Sequence, residues 1–241
     1  MIEFSIDQKE ITITALILDM DGVLVDTEPI HMEAFRLFLE QRGLSYTPEF
    51  LKSFIGYSIE DNIKNIIEDY NLHQTISLQE GIHQRDTIYL SLISKQVLKA
   101  NCGIYELMDF CIDNDVDLAL ASSSSHEQID AILKNLVKNY PTAERFFNKF
   151  STIVSGDDVV NKKPAPDIYS LTLKRLVRHP ENCLAIEDSP AGVESAEKAG
   201  LYVIGLVTPY VEKTKLNKAH WLIESVADVV GRWRDKQKIC S

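Results

Sequence analysis

The strongest hydrophobic pattern in the chain is a short apolar run that ends in acids. Residues 15–18 are all apolar, and Asp19 and Asp21 follow them almost directly. An apolar run without polar alternation is typical of a strand that is buried on both faces, as in a parallel sheet. The pattern therefore predicts a central strand that carries carboxylates at its C-terminal end.

From residue 29 to about residue 97 the apolar positions recur with a helical period. Thr47, Ser58 and Ser77 each precede a proline or place an acid at the third helical position, which is the pattern of a helix N-cap. This segment contains no convincing strand. A helical segment inserted after the first strand of an α/β domain is typical of a separate cap. We predict a helical cap domain over residues 29–97 and an α/β core over residues 1–28 and 98–241.

Beyond the predicted cap, short apolar runs alternate with helical patterns. This alternation predicts an α/β fold with a doubly wound, Rossmann-like parallel sheet and helices on both faces. The polar clusters follow strand ends, where open α/β sheets place their ligand crevice. Residues 1–14 have scattered apolar positions, for which we expect an edge strand or a hairpin. The other predicted strands are 116–121, 152–154, 183–186, 202–206 and 221–223.

The charge of the chain narrows the classes of partner. Its formal net charge is −11, which disfavours binding to nucleic acid or to an anionic membrane. No apolar run approaches the roughly 18 residues that a membrane span needs. We expect a soluble, cytoplasmic monomer whose partner is a small phosphorylated metabolite. Four widely spaced cysteines are expected to be buried thiols rather than a zinc site or a disulfide framework: Cys102, Cys111, Cys183 and Cys240.

Four motifs in order carry the chemistry. The first is Asp-x-Asp-Gly-x-x-x-Asp-Thr, which begins at Asp19; the second is Ser122, after a predicted strand. The third is Lys163 in Lys-Pro-Ala-Pro-Asp, and the fourth is Glu187-Asp188 in Glu-Asp-Ser-Pro-Ala-Gly. An Asp-x-Asp pair alone is a weak signal, whereas four ordered motifs are specific. Together they resemble the haloacid dehalogenase superfamily, in its β-phosphoglucomutase-like phosphatase subgroup.

This resemblance implies phosphoryl transfer through an aspartyl phosphate on Asp19. Asp21 would exchange protons with the leaving oxygen and the attacking water, while Lys163 and Ser122 would bind phosphoryl oxygens. The halide-removing branch that the chain resembles lacks an acid at the position of Asp21, so dehalogenation is disfavoured. For Glu187, the alternative to a role in metal binding is a purely structural one. The implied Mg²⁺ site is formed by Asp19, the Asp21 carbonyl, Glu187 and Asp188.

The resemblance assigns recognition of the rest of the substrate mainly to the cap. The sequence leaves open an ordinary helical role for His31, a surface salt bridge for Arg85 and capping of the next helix by residues 123–125. The residues assigned to substrate recognition are His31, Gly56, Ser58 and Arg85, with Ser123 from the core.

One departure from the subgroup bears on the reaction. A mutase carries an arginine directly after the Gly-x-Ser turn to hold a second phosphate, and this chain has Ile59 there. Hydrolysis does not need that clamp. The sequence therefore favours a Mg²⁺-dependent phosphatase acting on a small sugar or polyol phosphate. The alternatives are a β-phosphoglucomutase and a noncatalytic binding module.

Overall fold

The computed structural model describes residues 2–6 and 9–239, with side chains for residues 11–233. The chain divides into two compact units. The core unit comprises Met1–Asp26 and Leu98–Ser241, and the cap unit comprises Thr27–Val97. None of the described helices is both long enough and apolar enough to cross a membrane.

The core unit contains eight strands among its described residues. Six of them form one parallel sheet in the order β5-β4-β3-β6-β7-β8, and the first two form a separate antiparallel hairpin. This confirms the predicted parallel sheet. Of the two structures expected for residues 1–14, an edge strand or a hairpin, the hairpin is the one that forms. The strands are β1 (Ile2–Ile6), β2 (Lys9–Ile13), β3 (Ala15–Leu18), β4 (Asp117–Ala121), β5 (Phe150–Val154), β6 (Cys183–Glu187), β7 (Tyr202–Leu206) and β8 (Trp221–Ile223).

Ten α-helices lie in the described part of the chain, and the cap unit is built from the first four. Residues 27–97 contain no strand, as the sequence predicts. The cap helices are α1 (Glu28–Glu40), α2 (Pro48–Lys52), α3 (Ile59–Asp69) and α4 (Leu78–Lys95). The core helices are α5 (Ile104–Asp113), α6 (His126–Asn139), α7 (Glu144–Phe147), α8 (Asp167–Leu176), α9 (Pro190–Lys198) and α10 (Ala227–Ile239).

The topology of the sheet places β3 and β6 side by side at its centre. From β3 the order runs outward through β4 and β5, and from β6 it runs outward through β7 and β8. The strand order reverses between β3 and β6, and open α/β sheets bind ligands at the carboxyl ends of strands beside such a point. All four residues of β3 are fully buried, so both faces of the strand are covered. The two strands therefore deliver the residues that follow them to one place.

The cap unit has a hydrophobic core of its own. Phe38, Ile63 and Ile66 are fully buried in it, and Ile59 packs against the same cluster. The predicted caps are confirmed, since the hydroxyls of Thr47, Ser58 and Ser77 accept bonds from backbone N–H groups in the first turns of α2, α3 and α4.

The expectation for the cysteines is partly wrong. Cys111 and Cys183 are buried, but Cys102 is exposed because it lies in the loop before α5 rather than inside an element. Cys240 lies outside the described residues.

Candidate active site

The residues after β3 form a tight loop, which we call the acidic loop (residues 19–25). The backbone N–H of Asp19 donates to the carbonyl of Ile186 at 3.1 Å, which ties the loop to β6. Within the loop, the N–H of Gly22 donates to the carbonyl of Val25 at 2.8 Å, and the N–H of Val25 donates to the carbonyl of Met20 at 3.1 Å. These bonds fix the path of the backbone that carries Asp19 and Asp21.

Two glycines let backbone approach the acids of the fourth motif. Gly22 has a φ of +84°, and a Cβ atom built on it would lie 1.9 Å from Oδ2 of Asp188. A Cβ atom on Gly192 would lie 2.0 Å from Oε2 of Glu187. Both distances are far below van der Waals contact, so any larger residue must displace the carboxylate. These steric constraints explain why the first and fourth motifs each have glycine at this position.

Three carboxylates converge at the ends of β3 and β6. One oxygen from each of Asp19, Glu187 and Asp188 lies within 4.8 Å of the other two. Glu187 is fully buried, and Asp19 is 6 % exposed. A compact set of carboxylate oxygens has the donor chemistry that Mg²⁺ prefers. The residues present therefore fit the cation that the sequence predicts.

Lys163 is the cation that the protein itself places among these acids. Its Nζ donates to Oδ1 of Asp19 and to Oε1 of Glu187, both at 2.5 Å, and to the carbonyl of Ala121 at 3.0 Å. With 5 % of its side chain exposed, the ammonium is shielded from water, so its interactions with the acids are strong. One lysine thus links the acid after β3 to the acid at the end of β6.

The electrostatics of the cluster follow from burial and crowding. Burial raises the pKa of Asp19 to about 8; Lys163 opposes this shift, and the neighbouring carboxylates of Glu187 and Asp21 add to it. Burial likewise holds the pKa of Asp188 well above its ordinary value, with Asp19 and Glu187 contributing. Burial lowers the pKa of Lys163, but its two carboxylate partners outweigh that effect and leave the pKa raised. When all three acids are ionised they carry more negative charge than one lysine neutralises, so a bound cation would take the place of the protons that the raised pKa values retain.

Asp21 is held by the serines that follow β4. Its Oδ2 accepts a hydrogen bond from Ser124 Oγ at 2.7 Å and from Ser122 Oγ at 3.4 Å. The assignment of Ser124 to capping of the next helix is therefore wrong. Ser125 does cap α6, in a capping box with Gln128.

Ser123 lies between the two serines that contact Asp21, but its own environment differs. Ser123 is exposed, and its carbonyl oxygen lies against the backbone of Gly156.

Sequence reasoning missed two residues that hold Glu187. The hydroxyl of Tyr169, which is fully buried on α8, donates to Oε1 of Glu187 at 2.7 Å. The hydroxyl of Ser189 donates to Oε2 at 3.2 Å while also capping α9. A tyrosine six residues after Lys163 is a sequence signal, but an apolar helix face explains it equally well.

Two of the predicted recognition residues, His31 and Arg85, meet within the cap unit. A guanidinium nitrogen of Arg85 contacts Nδ1 of His31, and the ring of His31 stacks on Tyr89 with centroids 4.3 Å apart. Arg85 also binds Oδ1 of Asp86 at 3.0 Å. Because Arg85 is fully buried, the alternative of a surface salt bridge is wrong.

Gly56 and Ser58 lie in the turn before α3. Gly56 has a φ of +83° and open space where a side chain would project. The hydroxyl of Ser58 caps α3 and donates to Oδ2 of Asp61 at 2.7 Å. Both residues are exposed in the turn.

The sequence as a whole matches a known family. A profile of the haloacid dehalogenase-like hydrolases matches residues 16–206, which include all four motifs. The chain belongs to that family. The family and the fold inferred from the motifs are thereby confirmed.

Several named proteins are similar to this haloacid dehalogenase-like hydrolase. A phosphorylated carbohydrates phosphatase of Thermotoga maritima is 34% identical over 188 residues, or 78% of this chain and 82% of the relative. A β-phosphoglucomutase of Bacillus subtilis is 28% identical over 80% of this chain and 82% of its own length. The crystal structure of CbbY from Rhodobacter sphaeroides in complex with phosphate superposes with a TM-score of 0.75, at 26% identity over 90% of this chain and 96% of that chain.

Proposed function

We propose that this hydrolase is a Mg²⁺-dependent phosphatase that hydrolyses a small sugar or polyol phosphate. The observation that carries the proposal is the buried bridge of Lys163 between Asp19 and Glu187, beside Asp188. Carboxylates and a lysine gathered beside the point where the strand order reverses suit a phosphoryl group, which needs positioning and charge neutralisation. The phosphorylated carbohydrates phosphatase among the relatives supports the substrate class.

The first step is attack by Asp19 on phosphorus. A carboxylate oxygen of Asp19 forms a bond to phosphorus, the bond from phosphorus to the ester oxygen breaks, and Asp21 donates a proton to that departing oxygen. Lys163 neutralises Asp19 and the phosphoryl oxygens, and Ser122 donates a hydrogen bond to one of those oxygens. A Mg²⁺ ion held by Asp19, Glu187, Asp188 and the Asp21 carbonyl would supply positive charge beside the transferred group.

The second step returns the enzyme to its starting state. Asp21, now ionised, takes a proton from a water molecule whose oxygen attacks phosphorus, and the bond between phosphorus and Asp19 breaks. Inorganic phosphate leaves, and Asp21 again holds its proton. Ser124 donates to Oδ2 of Asp21 at 2.7 Å, so it orients the carboxyl group through both steps, while the Ser122 hydroxyl, 3.4 Å from the same oxygen, turns to the phosphoryl group.

Recognition of the substrate beyond its phosphate is assigned to five residues. His31 is partly exposed, and its ring is held by buried Arg85 and by stacking on Tyr89, so it presents a hydrogen-bonding group on a rigid support. Hydroxyl-rich sugars and polyols suit polar groups of this kind. The proposed recognition residues are His31, Gly56, Ser58, Arg85 and Ser123.

A mutase is the second candidate, because one relative is a β-phosphoglucomutase. A mutase needs a clamp for a second phosphate at the position of Ile59. Here Ile59 packs against the hydrophobic cluster of the cap unit, which is an apolar role. The packing of Ile59 therefore favours hydrolysis over isomerisation. The net charge of −11 keeps small metabolites as the expected partners, and a cytoplasmic monomer stays a prediction.

Release of phosphate from a panel of esters tests this function. The panel holds sugar, polyol, nucleotide and glycolytic phosphates, each with Mg²⁺ and with a chelator, and includes β-glucose 1-phosphate. We expect phosphate release that requires Mg²⁺ and is abolished in Asp19→Asn. Formation of glucose 6-phosphate from β-glucose 1-phosphate without phosphate release would establish the mutase instead.

A neighbouring lysine provides a matched control. Lys163→Met removes the buried cation and should abolish turnover, whereas Lys162→Met removes an exposed cation one residue away and should retain it. Full activity in Lys163→Met, or no hydrolysis of any ester by the wild type, would refute the proposed function. A noncatalytic binding module predicts the second of these results.

A further inference from the structure

The side chain of Asn101 binds the backbone of the acidic loop from outside it. Its Nδ2 donates to the carbonyl of Gly22 at 2.7 Å and to the carbonyl of Val23 at 3.0 Å. Its backbone N–H donates to the carbonyl of Leu24 at 2.9 Å. Three consecutive carbonyls of the loop therefore bind one half-buried residue.

Asn101 sits where the chain re-enters the core unit. The acidic loop ends at Val25, just before the cap unit begins, and residues 98–101 follow the cap unit directly. Val25 and Ala100 form an antiparallel bridge, so the outgoing and returning segments are paired beside the loop. The side chain of Asn101 extends this backbone pairing by two hydrogen bonds.

The chemistry of the amide matches what the loop offers. A carboxamide nitrogen has two hydrogens, and here they meet two carbonyl oxygens. An aspartate of the same shape would instead turn an anionic oxygen toward those carbonyls. Both bonds therefore depend on the amide group.

The bond from Asn101 to Gly22 bears on the reaction because Gly22 lies against Asp188. Its Cα lies so close to Asp188 that a single added carbon would clash. Its carbonyl is the acceptor of the shorter bond from Asn101. A shift of Gly22 would consequently alter the spacing between Asp188 and the two acids of the loop, Asp19 and Asp21.

We propose that Asn101 is a positioning residue that holds the acidic loop, and with it Asp19 and Asp21, in register with Asp188 for phosphoryl transfer. The role in turnover rests on the proposed phosphatase function, whereas the role in loop geometry does not. Asn101 touches neither the acids nor the phosphoryl group and acts through the backbone of residues 22–24.

A second asparagine in the core unit provides the control. Asn139 is also half-buried, and its Nδ2 also donates two hydrogen bonds, to the carbonyl and to Oδ1 of Asn135, both at 2.8 Å. It lies on α6 and contacts no residue of the acidic loop in these bonds. Asn101→Ala and Asn139→Ala thus each remove two hydrogen bonds that a half-buried amide nitrogen donates, at different places in the core unit.

The first measurement is amide hydrogen exchange, followed by NMR on the protein without Mg²⁺ or substrate. We expect the amides of Gly22, Leu24 and Val25 to exchange about tenfold faster in Asn101→Ala, and Asn139→Ala to leave them unchanged. The second measurement is steady-state kinetics on the best ester with saturating Mg²⁺. We expect kcat to fall about tenfold or more in Asn101→Ala with little change in KM, since misplaced reacting groups slow the chemical step.

Asn101→Asp keeps the shape and removes the donor, so it carries the test should the alanine variant fail to fold. It should reproduce both effects. The proposal would be overturned if Asn101→Asp kept both the exchange protection and the kcat of the wild type. It would also be overturned if Asn101→Asp lost no more kcat than Asn139→Ala does. If no ester is hydrolysed, the proposed function fails, and the exchange comparison alone still decides whether Asn101 holds the loop.

Discussion

The hydroxyl of Tyr169 and Lys163 Nζ bind the same oxygen, Oε1 of Glu187, at 2.7 and 2.5 Å. Burial and the carboxylate of Glu187 hold the pKa of Tyr169 well above its ordinary value, so the hydroxyl keeps its proton. The phenol therefore shares with Lys163 the task of satisfying a buried carboxylate. This sharing leaves Lys163 placed between Glu187 and Asp19 rather than drawn to one of them.

Tyr169→Phe should lower both stability and activity. Loss of a hydrogen bond to a buried carboxylate costs about 1.5–3 kcal/mol in the free energy of unfolding. Lys163 would then be drawn toward Glu187. We expect kcat to fall about tenfold, which is the effect of losing a residue that orients a metal ligand through a hydrogen bond. Urea unfolding and steady-state kinetics measure the two effects.

Tyr105→Phe is the matched control for that substitution. The hydroxyl of Tyr105 is also buried, and none of the described residues offers it a hydrogen bond. Its removal should leave stability unchanged or slightly raised and leave kcat unaffected. Equal losses in the two variants would contradict the assigned role of Tyr169.

Gly22→Ala should inactivate the enzyme because its methyl group would overlap Asp188. A displacement of about 1 Å at reacting groups is enough to lower kcat by about 100-fold. Gly43→Ala provides the comparison, since Gly43 also has a positive φ, +64°, but a Cβ atom added to it would meet nothing within 4 Å. It should cost about 1–2 kcal/mol in stability through backbone strain and retain its activity.

The raised pKa of Asp19 predicts a defined pH dependence of stability in the absence of Mg²⁺. Between the ordinary pKa of 3.8 and the folded value of about 8, the folded state holds a proton that the unfolded state has released. Stability from this group therefore falls as pH rises through that window, by at most about 1.4 kcal/mol per pH unit. Asp19→Asn cannot titrate, so it isolates this contribution from the other ionisable groups.

The measurement is the free energy of unfolding of the wild type minus that of Asp19→Asn, with chelator, from pH 4.5 to pH 8. We expect the difference to decrease with rising pH. Mg²⁺ should raise the thermal midpoint of the wild type more at pH 8 than at pH 5, because protons compete with the cation for the same oxygens. A difference that stays constant over this range would show that the carboxylate is ionised throughout it, and would contradict the raised pKa.

Val177 offers a stability prediction remote from the active site. It follows α8 with a φ of +55° and is 84% exposed, so a β-branched residue occupies a left-handed position without burial to offset the strain. Val177→Gly should raise the free energy of unfolding by about 0.5–1 kcal/mol. Val160→Gly should not, since Val160 is 93% exposed but lacks a positive φ, and urea unfolding of both variants checks this.

The sequence determined those features that depend on a few neighbouring residues. The apolar run before Asp19 specified a buried strand, and Ser58, Ser77 and Ser125 specified helix starts three residues from the N–H groups that they bind. The order of the motifs specified the family and the parallel sheet. Short-range hydrogen bonds and periodicity give such features a local signature.

Only the tertiary structure decided how the active-site residues are supported. Ser124 binds Asp21 across 103 positions, Asn101 binds Gly22 across 79, and Tyr169 binds Glu187 across 18. The burial of Arg85 likewise arises from aromatic residues on two cap helices, α1 and α4. Nothing in the local pattern distinguishes these residues from ordinary serines, asparagines and tyrosines, because their partners are chosen by the packing of separate elements.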